Sequence, residues 1–275
     1  MSKDFLKLPF TSIFNMKSQY NHEDYTIFIR VPDDYAIDKK TYPILIVLDP
    51  NFLFSALYGI NFIAQNYIIC GVGQQGLDFS ALSQQAKSDI SEVVRARDFL
   101  PFGLDPDIFI EGAPKNLVEK ILQQNGRADE FILLIKNQII PFLENNFRTS
   151  SGHTIVGHSF GGVFTCFALL KYPEIFSNYI AISPILDSRY YIKKEMFCGE
   201  YSFIEGKNIN VYIAIGSLED DNRTTNYIEN LEKECRKIIN HKQIIGKFEL
   251  IEGEDHVSVA LSGMLRGFRF INNKS

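Results

Sequence analysis

The chain contains no tryptophan, and only four of its 275 residues are cysteines. The cysteines are far apart in sequence, and no Cys-x-x-Cys pair or Cys/His cluster suggests a zinc site. We therefore expect neither a metal centre nor a disulfide framework, which is typical of a protein from a reducing compartment. The four residues are Cys70, Cys166, Cys198 and Cys235.

The sequence also lacks long apolar runs and an excess of positive charge. No run approaches the length that crosses a bilayer, and residues 1–10 mix charged and apolar side chains where an export signal would be continuously apolar. The net charge of −5 gives no reason to expect nucleic acid or an acidic membrane as a partner. We therefore expect a cytoplasmic protein.

Short apolar runs alternate along the chain with segments of helical spacing. The run at 42–48 is continuously apolar, which is typical of a strand buried on both faces of a parallel sheet, and residues 209–215 are predicted as another strand. Two further strands, near 11–16 and 25–31, are predicted to pair as a hairpin. This alternation predicts an α/β fold with a mainly parallel central sheet and helices on both faces. Because no repeat or linker is visible, we expect one domain over residues 1–275.

Two stretches break this alternation. Residues 74–126 are punctuated by prolines and glycines, and residues 185–208 are mixed and rich in aromatic side chains. Long irregular sections in a compact domain are commonly functional. We expect both to be excursions that shape a substrate pocket or its lid.

The most informative stretch is Gly157-His158-Ser159-Phe160-Gly161, which follows an apolar run and precedes a helical pattern. The pattern G-x-S-x-G between a strand and a helix is typical of an elbow that exposes a nucleophilic serine. Ser159 is therefore the candidate nucleophile. The side chain of His158 is expected to point away from it and to be held by packing or by a partner.

A serine hydroxyl needs an adjacent base, which is usually a histidine oriented by a carboxylate. In this arrangement the chain order is serine, acid, histidine. His241 and His256 follow Ser159, and His256 lies between the last predicted strand and the last helix, at the edge where the serine lies. We therefore predict His256 as the base and place His241 at a helix end. The candidate acids follow the preceding strand and are Glu219, Asp220 and Asp221.

An oxyanion hole requires two backbone N–H groups. One belongs to the residue after the nucleophile, Phe160. The other is expected from the loop after an early central strand, at Asp49-Pro50-Asn51. Because proline has no N–H, Asn51 is the predicted donor.

Several segments together resemble one known family. Tyr42 to Asp49 resembles the family's Tyr-Pro-x-Leu-Tyr-x-Leu-Asp strand, and Arg97 to Pro101 resembles its Arg-x-x-Asp-x-x-Pro segment in a shortened or shifted form. Further matches lie at 128–149, at 172–176 and at Ser183-Pro184. Over residues 20–270, roughly, the chain is similar to α/β-hydrolases of the putative-esterase family. That family includes enterobactin-type siderophore esterases, feruloyl esterases, esterase D and mycolyltransferases.

The resemblance implies a serine hydrolase that cleaves a carboxylic ester through an acyl-enzyme, with no cofactor and a small-molecule ester as its partner. It implies Ser159 as nucleophile and His256 as base, and it favours Glu219 because a Gly-x-x-Glu step often follows that strand. It also supports Asn51 and Phe160 as oxyanion donors, although this chain has Asp-Pro where the family usually has Asp-Gly.

Within this family the chain most resembles the siderophore-esterase branch. No motif specifies one ester, however, and the sequence does not indicate an oligomeric state. Two alternatives remain at this point. The acyl-enzyme could pass to an alcohol or amine acceptor, as in an acyltransferase. The chain could also be a hydrolase-fold binding protein with a silent site.

Overall fold

The centre of the molecule is a twisted sheet with helices on both faces. The computed structural model describes residues 8–74, 84–103, 115, 116, 119, 123, 126–184, 208–219 and 227–272. Within them, eight strands form one sheet in the order β1-β2-β4-β3-β5-β6-β7-β8. The strands are β1 (Thr11–Lys17), β2 (Asp24–Arg30), β3 (Ile44–Leu48), β4 (Ile68–Gln74), β5 (Thr154–His158), β6 (Asn178–Ile182), β7 (Ile209–Gly216) and β8 (Ile244–Ile251).

Strand β2 runs antiparallel to β1 and β4, and every other neighbouring pair is parallel. The carboxyl ends of the parallel strands therefore lie at one edge of the sheet. The described helices are α1 (Pro50–Tyr58), α2 (Asn61–Ala64), α3 (Gln84–Phe99), α4 (Ala128–Leu134), α5 (Ile140–Asn146), α6 (Phe160–Lys171), α7 (Tyr227–Ile239) and α8 (Val259–Asn272). A π-helical turn at Ile135–Ile139 joins α4 to α5.

Both faces of the sheet are buried. Along β3, Ile46 belongs to a hydrophobic cluster with α3, α4, α6 and α7, whereas Val47 belongs to a second cluster with α1 and α8. Successive side chains of a strand point to opposite faces, so a strand covered on both sides is apolar throughout. The predicted α/β fold with a mainly parallel sheet is confirmed, and so is the hairpin of β1 and β2.

The prediction of an irregular stretch at 74–126 is wrong in its first half, because α3 is a helix of 16 residues there. Ile90 and Phe99 of α3 are buried, but so are Arg97 and Asp98. Buried charged residues interrupt the apolar spacing by which a helix is recognised in a sequence. The predicted excursion at 185–208 lies outside the described residues except for its last residue. No helix in the described part of the chain is long and apolar enough to cross a membrane.

Candidate active site

Ser159 lies in a tight turn between β5 and α6. Its backbone has φ 59° and ψ −121°, a conformation that residues other than glycine rarely adopt. The turn depends on a close approach of strand and helix, because a Cβ on Gly157 would lie 2.2 Å from the carbonyl oxygen of Gly161. The Ser159 amide donates to the Ile182 carbonyl at 2.9 Å, which ties the turn to the end of β6. The serine is therefore held at the carboxyl edge of the sheet.

His256 and Glu219 form a hydrogen-bonded chain with Ser159. His256 lies between β8 and α8, and its Nε2 is 3.1 Å from Ser159 Oγ. Its Nδ1 is 2.8 Å from Oε2 of Glu219, which follows β7. The structure thus brings together the three residues that the resemblance favoured. His241 instead follows α7, where its Nδ1 accepts a hydrogen bond from the Gln243 amide at 3.3 Å.

The second oxygen of Glu219 is also occupied. Oε1 accepts the Gly216 amide at 2.7 Å and the hydroxyl of Ser183. Burial alone would raise the pKa of Glu219, but hydrogen bonds from His256, Ser183 and Gly216 outweigh it and hold the pKa below the ordinary value. Glu219 is therefore an ionised acceptor at neutral pH. Asp220 and Asp221, the other two candidate acids, lie outside the described residues.

Ser183 was not identified from the sequence as a site residue. It follows β6 and has a φ of 43°, and its amide donates to the Ala214 carbonyl at 2.7 Å. The available signal was its position, because β6 is parallel to β5 and β7 and ends at the same edge. A hydroxyl directly after β6 can therefore reach a carboxylate that follows β7.

The two predicted oxyanion donors lie in the first turns of two helices. Asn51 is the second residue of α1, and Phe160 is the first residue of α6. The first N–H groups of a helix have no acceptor within the helix, so amides in these positions can bind an anion. Pro50 occupies the first position of α1 and Asp49 precedes it with φ 53° and ψ 56°.

Arg95, on α3, is a site residue that the sequence analysis missed. Its guanidinium donates to both oxygens of Asp49 at 2.7 and 2.9 Å and to both oxygens of Glu92 at 2.7 and 2.6 Å. The shifted match proposed from Arg97 was wrong in its register. Counted from Arg95, the Arg-x-x-Asp-x-x-Pro pattern runs unshifted through Asp98 to Pro101, and this was the signal that could have identified it.

His158 has a partner, as the sequence analysis expected. Its Nε2 lies 2.6 Å from the carbonyl oxygen of His256, and the two rings are 4.8 Å apart. Because a carbonyl oxygen only accepts, Nε2 of His158 carries the proton and donates it. Burial, followed by the neighbouring His256, lowers the pKa of His158 to about 4. His158 is therefore neutral at pH 7 and holds the backbone of His256.

A cavity of about 360 Å³ opens over these groups. It is lined by Asp49 and the first turn of α1, by one face of α3 and by the Ser159–His256 pair, and its walls include Asp49, Asn51, Phe52, Glu92, Arg95 and Val257. Phe52 and Val257 are 49% and 64% exposed, which gives the cavity mouth an apolar border. No cluster of three or more His, Cys, Asp or Glu side chains able to hold a metal occurs in the described segments. The arrangement suits nucleophilic attack on an uncharged carbonyl group.

Comparison with known proteins indicates an ester hydrolase. A sequence model of the family described as putative esterase matches residues 18–260. Ferri-bacillibactin esterase BesA of Bacillus subtilis is 25% identical over 279 residues, which cover 96% of this chain and 90% of the relative. The BES protein from Bacillus cereus has a similar crystal structure, with a TM-score of 0.74, 25% identity and coverage of 98% of this chain and 99% of that one.

Siderophore hydrolase EstB from Aspergillus nidulans shares the fold, with a TM-score of 0.71 at 23% identity and coverage of 98% of this chain and 96% of the other. The family match spans most of the chain, and the fold match extends over nearly all of it. The chain therefore belongs to the putative esterase family and is a carboxylic ester hydrolase with the α/β-hydrolase fold.

Proposed function

We propose that the enzyme cleaves its ester through an acyl-enzyme on Ser159, with His256 as general base and Glu219 as the residue that orients His256. The observation that carries this proposal is the unbroken chain of hydrogen bonds. Glu219 Oε2 lies 2.8 Å from His256 Nδ1, and His256 Nε2 lies 3.1 Å from Ser159 Oγ. The same order of groups defines serine hydrolases on unrelated folds.

The tautomer of His256 follows from its partner. An ionised Glu219 can only accept a hydrogen bond, so the proton of neutral His256 is on Nδ1 and Nε2 has its lone pair free for the Ser159 hydroxyl. As Oγ attacks the ester carbonyl carbon, Nε2 takes its proton. The imidazolium that results is stabilised by the Glu219 carboxylate, which the surrounding donors keep ionised.

Attack converts the carbonyl oxygen into an oxyanion. We propose that the amides of Asn51 and Phe160 donate to it, since both belong to first helical turns beside Ser159. The loss of one such donor typically lowers kcat by about 10²–10³-fold.

Collapse of the first tetrahedral intermediate breaks the bond between the carbonyl carbon and the leaving oxygen. His256 gives its Nε2 proton to that oxygen, and the alcohol departs. A water molecule then transfers a proton to Nε2 as its oxygen attacks the acyl carbon, and the acid leaves with regeneration of the Ser159 hydroxyl. These steps require no metal or cofactor.

For the substrate, we propose the ester bonds of a siderophore. The support comes from relatives that are described as a ferri-bacillibactin esterase and a siderophore hydrolase. The exposed Phe52 and Val257 at the cavity suit a substrate that has apolar groups. A cytoplasmic location remains a prediction from the sequence.

The test compares purified wild type with Ser159→Ala and with Ser12→Ala, a serine control on the exposed part of edge strand β1. Iron-free and ferric catecholate trilactones and a simple p-nitrophenyl ester are the substrates. We expect wild type and Ser12→Ala to cleave them, and Ser159→Ala to lose about 10⁴-fold or more in kcat. Cleavage of the simple ester alone would refute the siderophore assignment, and activity in Ser159→Ala would refute the mechanism.

A further inference from the structure

Arg95 joins two segments that are distant in sequence. Its side chain is 15% exposed, and the Asp49 side chain that it binds is 12% exposed. Two parallel hydrogen bonds link the Arg95 guanidinium to Asp49, and Glu92 on the same helix takes the remaining terminal nitrogen at 2.6 and 2.7 Å. Such paired contacts fix the orientation of both partners, which a single point charge cannot do.

The same guanidinium reaches the nucleophile turn. Its Nη2 lies 3.5 Å from the carbonyl oxygen of His158, and its central carbon is 5.7 Å from the centre of the Phe160 ring. The carboxylate of Asp49 also lies against this turn, because a Cβ on Gly161 would be 3.2 Å from Asp49 Oδ2. Arg95 therefore contacts both segments that carry the proposed oxyanion donors.

The backbone of Asp49 has an unfavourable conformation that requires support. Its φ of 53° and ψ of 56° are left-handed, which is uncommon for a residue with a side chain, and the following Pro50 further restricts it. Its carbonyl oxygen accepts the amides of Phe52 and Leu53 at 3.0 Å. The conformation of Asp49 thus sets the direction of the first turn of α1, and with it the direction of the Asn51 N–H.

We infer that Arg95 is a positioning residue. It holds Asp49 and the first turn of α1 against the turn at Ser159, and this clamp aligns the two oxyanion donors. This inference rests on the proposed function of Ser159, Asn51 and Phe160. The positive charge of Arg95 is matched by the carboxylates of Asp49 and Glu92, so Arg95 acts on the geometry of the hole and does not serve as a receptor for a substrate anion.

The chain offers a matched control on the same helix. Arg97 has a side chain that is 6% exposed and donates to both oxygens of Asp98 at 2.7 and 3.1 Å, but it does not line the cavity. Arg95→Lys and Arg97→Lys each replace a buried two-pronged contact by a point charge. They should therefore differ in catalysis if Arg95 has the inferred role.

The experiment measures kcat and KM for p-nitrophenyl acetate, which is neutral, and p-nitrophenyl hemisuccinate, which is anionic, together with thermal unfolding. We expect Arg95→Lys to lower kcat by about 10–100-fold on both esters, with KM changed by no more than about twofold, because the loss falls on the transition state. The inhibition constant of a phenylboronic acid should rise in parallel. Arg97→Lys should retain kcat within about threefold of wild type.

Three results would overturn the inference. They are an unchanged kcat in Arg95→Lys, a rise of KM confined to the anionic ester, and equal losses of kcat in the two lysine variants. If Arg95→Lys does not fold, Asp49→Asn serves instead, since asparagine tolerates the left-handed conformation but removes the charge pair. Asp49→Asn is expected to show the same fall in kcat as Arg95→Lys, and a wild-type kcat in Asp49→Asn would contradict the inferred role of Arg95.

The failure of this inference can be told apart from failure of the proposed function. If wild type hydrolyses both esters through Ser159 and Arg95→Lys is fully active, only the positioning role of Arg95 is refuted. If folded wild type shows no hydrolysis that depends on Ser159, both the positioning role of Arg95 and the proposed function are refuted.

Discussion

Replacing Glu219 by glutamine is the substitution whose outcome the structure defines most closely. The partners of the carboxylate include the Gly216 amide, the Ser183 hydroxyl and His256 Nδ1, each of which is hydrogen-bonded to it. The side chain is fully buried, so water cannot replace a lost partner. Glutamine has nearly the same shape but presents one accepting oxygen and one donating NH₂ group.

Both orientations of the amide are unfavourable. If the oxygen faces Gly216 and Ser183, the NH₂ group faces His256 and stabilises the tautomer with its proton on Nε2, which cannot accept the Ser159 proton. If the oxygen faces His256, the NH₂ group opposes the Gly216 N–H, and a buried donor is left unsatisfied. In either case the negative charge that stabilises the imidazolium is gone. We expect kcat to fall by about 10³–10⁴-fold, which corresponds to a rise of about 4–5.5 kcal/mol in the activation free energy.

The assay is steady-state hydrolysis of p-nitrophenyl acetate by wild type, Glu219→Gln and Glu249→Gln. Glu249 is the matched control, because its carboxylate is 16% exposed and also pairs with Arg266, Lys247 and Tyr212, all outside the cavity lining. Glu249→Gln should keep kcat within about threefold. A folded Glu219→Gln enzyme with more than a tenth of wild-type kcat would refute the role of Glu219, and a loss in Asp221→Asn instead would move it there.

Two further predictions concern stability. Burial lowers the pKa of His158 to about 4. Between pH 6.5 and 4 the unfolded chain therefore binds a proton that the folded chain does not, and the free energy of unfolding decreases as the pH is lowered through that window. Urea unfolding should show wild type losing about 2–3 kcal/mol more than His158→Gln between pH 7 and 4.5, and parallel losses would contradict this. Gly157→Ala should lower the free energy of unfolding by about 1–3 kcal/mol, because its Cβ would meet the Gly161 carbonyl at 2.2 Å. In Gly59→Ala the nearest atom is 3.9 Å away; this control should be neutral, and an equal loss in both variants would refute the argument.

Sheet topology allowed Ser159 and His256 to be predicted from the sequence, and it left Glu219, Asp220 and Asp221 as candidate acids until the family resemblance favoured Glu219. Ser159, Glu219 and His256 each follow a parallel strand, and parallel strands end at one edge. Apolar runs identify such strands locally, so the convergence of the loops behind them could be inferred without knowing any side-chain contact. The proposed roles of these residues remain to be tested by the substitutions above.

The contacts that support the site could not be inferred in the same way. Arg95 lies on α3, where buried Arg97 and Asp98 conceal the apolar spacing that would indicate a helix. Its pairing with Asp49 spans 46 positions of the chain. Ser183 donates to Glu219 across 36 positions of the chain and has a positive φ, which the sequence does not show. The Arg-x-x-Asp-x-x-Pro pattern and the position after β6 single out Arg95 and Ser183 in the sequence, but the partners that they bind depend on tertiary packing.

The central claim is that Ser159 is an activated nucleophile, and its most direct test is the intact mass of the folded protein after treatment with a fluorophosphonate. The account predicts one adduct on wild type, no adduct on Ser159→Ala, and much slower labelling of His256→Ala, because Nε2 of His256 removes the Ser159 proton. An unlabelled wild type, or an adduct that persists in Ser159→Ala, would contradict it.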